Sequence, residues 1–209
     1  MINIIVSYDD NDGELGDYFE QSYQNLNGFF LSVDQIKEHP LNGLDSTEVN
    51  VIGLIQSLNG QKFAFIGISH GNDGQLLTDN DCYVDINVLG HFKNSFFYST
   101  ACCTAIELGK KIIDNGCYSY IGCNQSTFAT FENFYDTYIE CENYCLKDFL
   151  SSTHTLKEAF QNMMKYFDDK IDELLLLHDD EILVAMELIN NKDSFVLFGN
   201  EQLTKLDLE

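Results

Sequence analysis

The sequence predicts an α/β fold, on three observations. Short, continuously apolar runs bounded by turn formers read as strands buried on both faces. They alternate with stretches whose apolar residues recur at helical spacing, the signature of a sheet covered by helices. The composition, 44% hydrophobic and 22% charged over 209 residues, supplies an ordinary globular core and excludes a disordered or collagen-like chain.

Ile2 to Ser7 is the first strand, and Leu15, Tyr18, Phe19, Ser22, Tyr23 and Leu26 share one helix face that Asn27-Gly28 should end. Phe29 to Val33 reads as a weaker second strand. Asp45 with Glu48 can cap a helix carrying Val51, Ile52, Ile55 and Leu58, stopped by Asn59-Gly60. Phe63 to Ile68 is a central buried strand. Residues 71–90, rich in turn formers, read as surface loop with a small hairpin. Phe96 to Tyr98 is a fourth strand, Thr104 to Asn115 a helix with Gly116 in the stop position, and Tyr118 to Ile121 a fifth strand. Two longer helices follow. One carries Phe131, Phe134, Tyr135, Tyr138 and Ile139; the other opens on the capping pair Thr155 and Glu158 and carries Leu156, Phe160, Met163, Phe167 and Ile171. Phe195 to Phe198 is the last strand before an acidic tail. With no repeat, linker or composition break, residues 1–209 are expected to form a single domain.

The charge balance excludes several functions. Acidic residues number 34 against 11 basic ones, a net charge of −23 with a pI near 4.2, and every basic residue is lysine. Such a surface repels phosphate backbones and anionic lipid heads, so neither nucleic acid nor membrane is an expected partner, and cationic substrates are favoured. No apolar run approaches a transmembrane length, and Met1-Ile2-Asn3 lacks a signal-peptide start, so a cytoplasmic location is expected. The seven cysteines show no repeated spacing and are expected as thiols, with no cofactor or metal. Cys141 and Cys145 share a helix face, but no further ligand stands at a zinc spacing, and core packing is the preferred reading. His39, His91, His154 and His178 are read as surface residues. Asn72-Asp73-Gly74 and Asp79-Asn80-Asp81 lack the spacing of a calcium loop.

Two apolar strands stop at reactive side chains: Phe65-Ile66-Gly67-Ile68-Ser69-His70-Gly71 and Phe96-Phe97-Tyr98-Ser99-Thr100-Ala101-Cys102-Cys103-Thr104. If these strands are parallel neighbours, an imidazole and a thiol meet at one crevice beyond the carboxyl ends of the sheet. That pairing suits nucleophilic catalysis, the imidazole taking the thiol proton and returning it to a leaving amine. The N–H groups of Gly71 and Cys102 are candidates for an oxyanion hole.

A strand ending in His-Gly followed by one ending in Ala-Cys-x-Thr resembles the caspase-like (clan CD) cysteine peptidases, and the Ala-Cys-x-Thr form is most similar to their CHAT branch. Lys111 to Gly122 and Phe195 to Asn200 are similar to that branch's helix, glycine turn, fifth strand and closing strand. The resemblance implies a caspase-like three-layer α/β/α sandwich with a mostly parallel sheet of about six strands. It also implies His70 as general base and acid, Cys102 as nucleophile, Gly71 as an oxyanion donor, and a thioester acyl-enzyme. Cys103 stands at the variable position.

Caspases proper read aspartate at P1, the residue before the scissile bond, through arginines, and this chain has none. The expected substrate is therefore a protein or peptide with a basic or neutral P1 residue. Basic readers in the wider clan often carry an acid two residues before the nucleophile, where Thr100 stands here. Asp73, Asp79, Asp81, Asp85 and Glu132 are the acids nearest the predicted cleft in the chain. Should aspartate be read instead, Lys93 and Lys62 are the first suspects. A cytosolic protease needs control, so a regulatory protein partner is expected, in a bacterial defence or stress pathway as the CHAT resemblance suggests. The alternative is a catalytically inactive caspase-like module that binds proteins through its acidic surface.

Overall fold

A computed structural model describes residues 1–79 and 81–209; Asn80, inside the second acidic triplet, lies outside them. In chain order the elements are β1 (Ile2–Tyr8), α1 (Gly16–Phe30), β2 (Ile36–Leu41), α2 (Glu48–Ser57), β3 (Phe63–Ile68), β4 (His70–Asn72), β5 (Gln75–Leu77) and β6 (Cys82–Asp85). Then come β7 (Ser95–Ser99), α3 (Leu108–Asp114), β8 (Ser119–Cys123), α4 (Tyr135–Ser151), α5 (Leu156–Leu175), α6 (Asp180–Ser194) and β9 (Phe195–Gly199).

The main sheet has six strands in the order β2-β1-β3-β7-β8-β9, parallel except for β9. The period-2 alternation of strand side chains divides the core in two. Ile4, Val6, Ile66, Phe96 and Tyr98 pack with α1, α4, α5 and α6 on one face, and Ile5, Phe63, Phe65 and Phe97 pack with α2, α3 and the small β4–β6 sheet on the other. The chain winds from β1 out to β2 and returns to β3 on β1's other side, so the winding reverses between β1 and β3. At such a point an α/β sheet leaves a crevice beyond its carboxyl ends.

Tertiary packing overrides several local signals. Helix α1 runs through Asn27-Gly28 because Phe30, one turn beyond Leu26, is only 4% exposed. Burying a phenylalanine is worth about 1.5–3 kcal/mol, more than the roughly 1 kcal/mol that a helical glycine costs. The second strand is accordingly Ile36–Leu41 rather than Phe29–Val33, and its Pro40 is tolerated at the sheet's edge. Thr47, not Asp45, caps α2, accepting from Asn50 N–H, while Asp45 is held in the preceding turn by its N–H bond to the Asn42 carbonyl. Helix α3 starts at Leu108 rather than Thr104 because residues 101–107 form tight turns, with Glu107 and Leu108 N–H both donating to the Asp73 carbonyl. The turn-rich segment holds more than a small hairpin: β4, β5 and β6 form a three-stranded antiparallel sheet that buries Leu76, Tyr83 and Val84.

Where the sequence pattern shows two long helices, the structure has three. Helix α5 opens on the complete Thr155/Glu158 capping box, but α6 carries apolar residues on two faces and so gives no single stripe. Cys141 and Cys145 are fully buried in the core, and His39 lies on β2, half-buried against Asn3. Among the described residues no helix is long and apolar enough to cross a membrane.

Candidate active site

Three neighbouring parallel strands, β1, β3 and β7, end side by side and deliver Asp12, His70 and Cys102. Serine side chains shape both later exits. Ser69 Oγ donates to the His70 carbonyl at 2.9 Å and meets the buried Tyr83 hydroxyl at 2.7 Å. Ser99 Oγ donates to the Gly67 carbonyl and accepts from Ala101 N–H, turning the chain away from the sheet just before Cys102.

The Ala-Cys-x-Thr motif is the chemistry of that turn. Thr104 Oγ1 donates to the Ala101 carbonyl at 3.0 Å and accepts from the Tyr120 hydroxyl at 2.7 Å. Cys103 takes the left-handed conformation (φ 63°), its N–H donating to the Gln125 carbonyl. A non-glycine residue there is strained, and such strain gathers at functional sites. Gly71 lies against the same turn: a Cβ on it would sit 2.7 Å from Thr104 Cγ2 and 2.9 Å from Ala101 Cβ. Gly71→Ala is therefore expected to lose about 1–3 kcal/mol by overpacking, read as a lower urea midpoint at unchanged slope.

His70 and Cys102 line one cavity of about 140 Å³ together with Tyr18, Phe19, Thr100, Thr127, Phe128 and Glu142. Cys103, the next residue in the chain, is not among its lining residues. His70 is about half exposed. Its Nε2 lies 3.0 Å from Asp12 Oδ2, and its ring meets Phe19 edge-on at 5.4 Å. The Cys102 sulfur accepts from Thr127 N–H at 3.3 Å and lies 3.5 Å from Thr127 Oγ1.

Sequence reasoning missed both acids of this site. Asp12 belongs to the β1–α1 loop, and its side chain is only 4% exposed. Burial alone would raise its pKa, but the N–H groups of Leu15 and Glu14 at Oδ1, together with His70, outweigh that and hold it below the usual carboxylate range. Its signal in the sequence was weak: an aspartate shortly after a strand whose position in the sheet was unknown. Glu142 lies on α4, 40 residues beyond Cys102, and is 3% exposed. Burial pushes its pKa up to about 7 even though the Tyr18 hydroxyl donates to Oε2 at 2.7 Å. A glutamate on the buried face of a helix is the signal that could have marked it, since such groups are rarely inside without a role.

None of Asp73, Asp79, Asp81, Asp85 and Glu132 lines the cavity. Asp79 nonetheless packs against the loop that carries Asp12, its Oδ2 accepting from Gly13 N–H at 3.1 Å and its own N–H donating to Asp9 Oδ2 at 2.9 Å. Lys62 and Lys93 precede β3 and β7, at the opposite ends of the strands from the site. A larger cleft of about 620 Å³ lies by Met1, Lys37 and Lys62 and is lined by no cysteine, serine, threonine or histidine.

No family model and no curated protein matches the sequence. Solved structures do. The Arg specific cysteine proteinase gingipain R superposes on 97% of this chain and 47% of its own, with a TM-score of 0.66 at 13% identity. The fold is that of the caspase-like cysteine proteases. Separase of Saccharomyces cerevisiae, solved with securin, matches 95% of this chain and 12% of its own (TM-score 0.55, 14% identity). The secreted C11 cysteine protease iotapain of Bacteroides thetaiotaomicron matches 81% and 71% (TM-score 0.50, 10% identity). The chain spans about half the length of gingipain R and an eighth of separase.

Proposed function

We propose that residues 1–209 act as one caspase-like peptidase domain, a cysteine endopeptidase whose nucleophile is Cys102 and whose general base and acid is His70. The observation that carries this reading is the meeting of the imidazole and the thiol at one cavity, with a buried carboxylate behind the imidazole. In this mechanism His70 takes the Cys102 proton and the thiolate attacks the substrate carbonyl carbon. The N–H groups of Gly71 and Cys102 hold the oxyanion. Collapse breaks the C–N bond, His70 returns the proton to the leaving amine, and water then hydrolyses the thioester. Asp12 is a positioning residue that fixes the imidazole.

Glu142 supports a specificity. It lies on the cavity wall, among apolar groups, with its carboxylate held by Tyr18. A lysine or arginine side chain at P1 would supply the counter-charge that this buried acid lacks, whereas aspartate would meet like charge. The preferred substrates in this reading are proteins cleaved after basic residues, and a separate protein controls the activity, in a cytoplasmic pathway of the kind the CHAT resemblance implies.

The inactive-module alternative draws on one observation, that the thiol is hydrogen-bonded with Thr127 while His70 Nε2 is engaged by Asp12. Alkylation with iodoacetamide, mapped by mass spectrometry, separates the two. Burial pushes the Cys82 and Cys117 thiols up to about 11, which disfavours their thiolates. Cys102 is expected to label first, and to slow at least tenfold in His70→Ala by loss of the base. Labelling of Cys82 or Cys103 before Cys102 would favour the module. Asp12→Asn should lower kcat by about 10²- to 10⁴-fold with KM nearly unchanged, because Asp12 touches the imidazole and not the substrate cavity.

A further inference from the structure

Helix α6 has two apolar faces and uses one. Val184, Ala185 and Leu188 are fully buried in the core, while Ile182, Leu183, Met186 and Ile189 are between 39% and 60% exposed. Ile182, Met186 and Ile189 recur at i, i+4 and i+7, a continuous stripe rather than scattered surface residues. The α5–α6 turn extends the apolar surface with Leu176, which is 82% exposed. Acids flank the stripe. Asp179, Asp180 and Glu181 stand at its start and Asp193 at its end, and the nearby Lys170 and Lys192 are each paired, with Glu173 and Asp168.

The adjoining polar face of α6 grips the loop that carries the cavity wall. Asn191 Oδ1 accepts from Phe128 N–H at 2.8 Å and its Nδ2 donates to the Phe128 carbonyl at 2.7 Å. Asn190 Nδ2 donates to the Ser126 carbonyl at 2.8 Å, and Glu187 accepts from Thr130 Oγ1 at 2.5 Å. Between these anchors sits Thr127, whose N–H donates to the Cys102 sulfur. Helix α6 is thus hydrogen-bonded to the residues on either side of the one that holds the thiol.

We propose that the exposed stripe of α6 is the docking face for a cationic amphipathic helix of a second protein, and that docking there alters the Thr127 contact with Cys102. The regulatory meaning rests on Cys102 being the nucleophile; the docking and the Thr127 response do not. The partner's chemistry follows from the face itself: apolar residues at helical spacing match the stripe, and lysines or arginines match the acidic ends. A second copy of this chain, with a net charge of −23, or an anionic membrane would be repelled.

The probe is an 18-residue synthetic peptide with leucines on one helical face and lysines on the other, titrated into the 209-residue chain. A scrambled peptide of the same composition is the control. Amide NMR should show saturable shifts on α6 and at Thr127, with the scrambled peptide binding at least tenfold more weakly. The triple substitution Ile182→Ser, Met186→Ser and Ile189→Ser changes no charge and touches exposed positions only, and it should weaken binding at least tenfold at unchanged thermal stability. Equal binding by the scrambled peptide or by the triple variant overturns the docking face. Shifts on α6 that leave Thr127 unmoved overturn the coupling. Concentration-dependent dimerisation abolished by the triple variant, or binding to phosphatidylglycerol vesicles, would overturn the assigned partner. Because Thr127 is read by NMR, these outcomes stand apart from the iodoacetamide result, which tests the nucleophile alone.

Discussion

Cys102→Ala and His70→Ala are each expected to lower peptide cleavage by about 10⁴- to 10⁶-fold, the loss seen when one member of a nucleophile–base unit is removed. The double variant should be little worse than either single one, because the two groups act in the same steps. Neither change should unfold the protein: the imidazole is about half exposed, and Cys102 is half-buried and hydrogen-bonded with Thr127. Urea midpoints should therefore stay close to wild type. Cys103→Ala is the informative control. Its side chain does not line the cavity, so activity should fall less than about tenfold, the residual effect coming from the left-handed turn it occupies. Activity lost in Cys103→Ala and kept in Cys102→Ala would show that the thiol beside His70 is not the nucleophile.

Glu142→Gln should move activity and stability in opposite directions. Cleavage after lysine or arginine is expected to fall by about 10²- to 10⁴-fold, the scale of about 3–5 kcal/mol for removing one partner of a buried ion pair. Cleavage after neutral residues should change little. In the wild type, the ratio of kcat/KM for basic over neutral P1 should rise with pH through about 7 as Glu142 ionises. The ratio cancels the titration of thiol and imidazole, which both substrates share. A ratio flat with pH, or a peptide-library profile led by aspartate, would remove Glu142 from specificity.

The stability side follows from the same pKa. Burial raises Glu142 from its ordinary value of 4.5 to about 7 in the folded chain. A raised carboxyl favours the folded state fully below the unfolded pKa, and that contribution is lost as pH rises through the folded one. Between about pH 4.5 and 7 this group should therefore cost the wild type about 3 kcal/mol, at 1.36 kcal/mol per unit. Glutamine pays no such ionisation cost and still accepts from Tyr18. The variant should thus gain several degrees in Tm over wild type at pH 8 and nearly nothing at pH 4.5. An ionised, buried acid that lowers stability at the candidate site is what a stability–function trade-off looks like at one residue.

The sheet was legible because its strands are buried on both faces. Phe63–Ile68 and Phe96–Tyr98 are uninterrupted apolar runs, Ile2–Ser7 is broken only by Asn3 before its closing serine, and the structure keeps each within a residue or two. The Thr155/Glu158 pair marked the start of α5 because a capping box is a local hydrogen-bond exchange that needs nothing from the rest of the fold. Elements that depend on distant partners were not legible. Phe30 extends α1 only because a core is there to receive it, and the two apolar faces of α6 hide its period.

The same division runs through the candidate site. His70-Gly71 and Ala101-Cys102-x-Thr104 stand at strand ends, where short-range turn chemistry writes itself into the sequence, and that was enough to bring an imidazole and a thiol to one crevice once parallel pairing was assumed. Tertiary structure alone decided which carboxylates join them. Asp12 reaches His70, 58 residues away in sequence, because β1 pairs with β3, and Glu142 reaches the cavity because α4 packs against α1, where Tyr18 holds it. The physical reason is range. A turn or a cap is closed by neighbours along the chain, whereas the field at a buried acid is set by groups that only the folded sheet and its helices bring together.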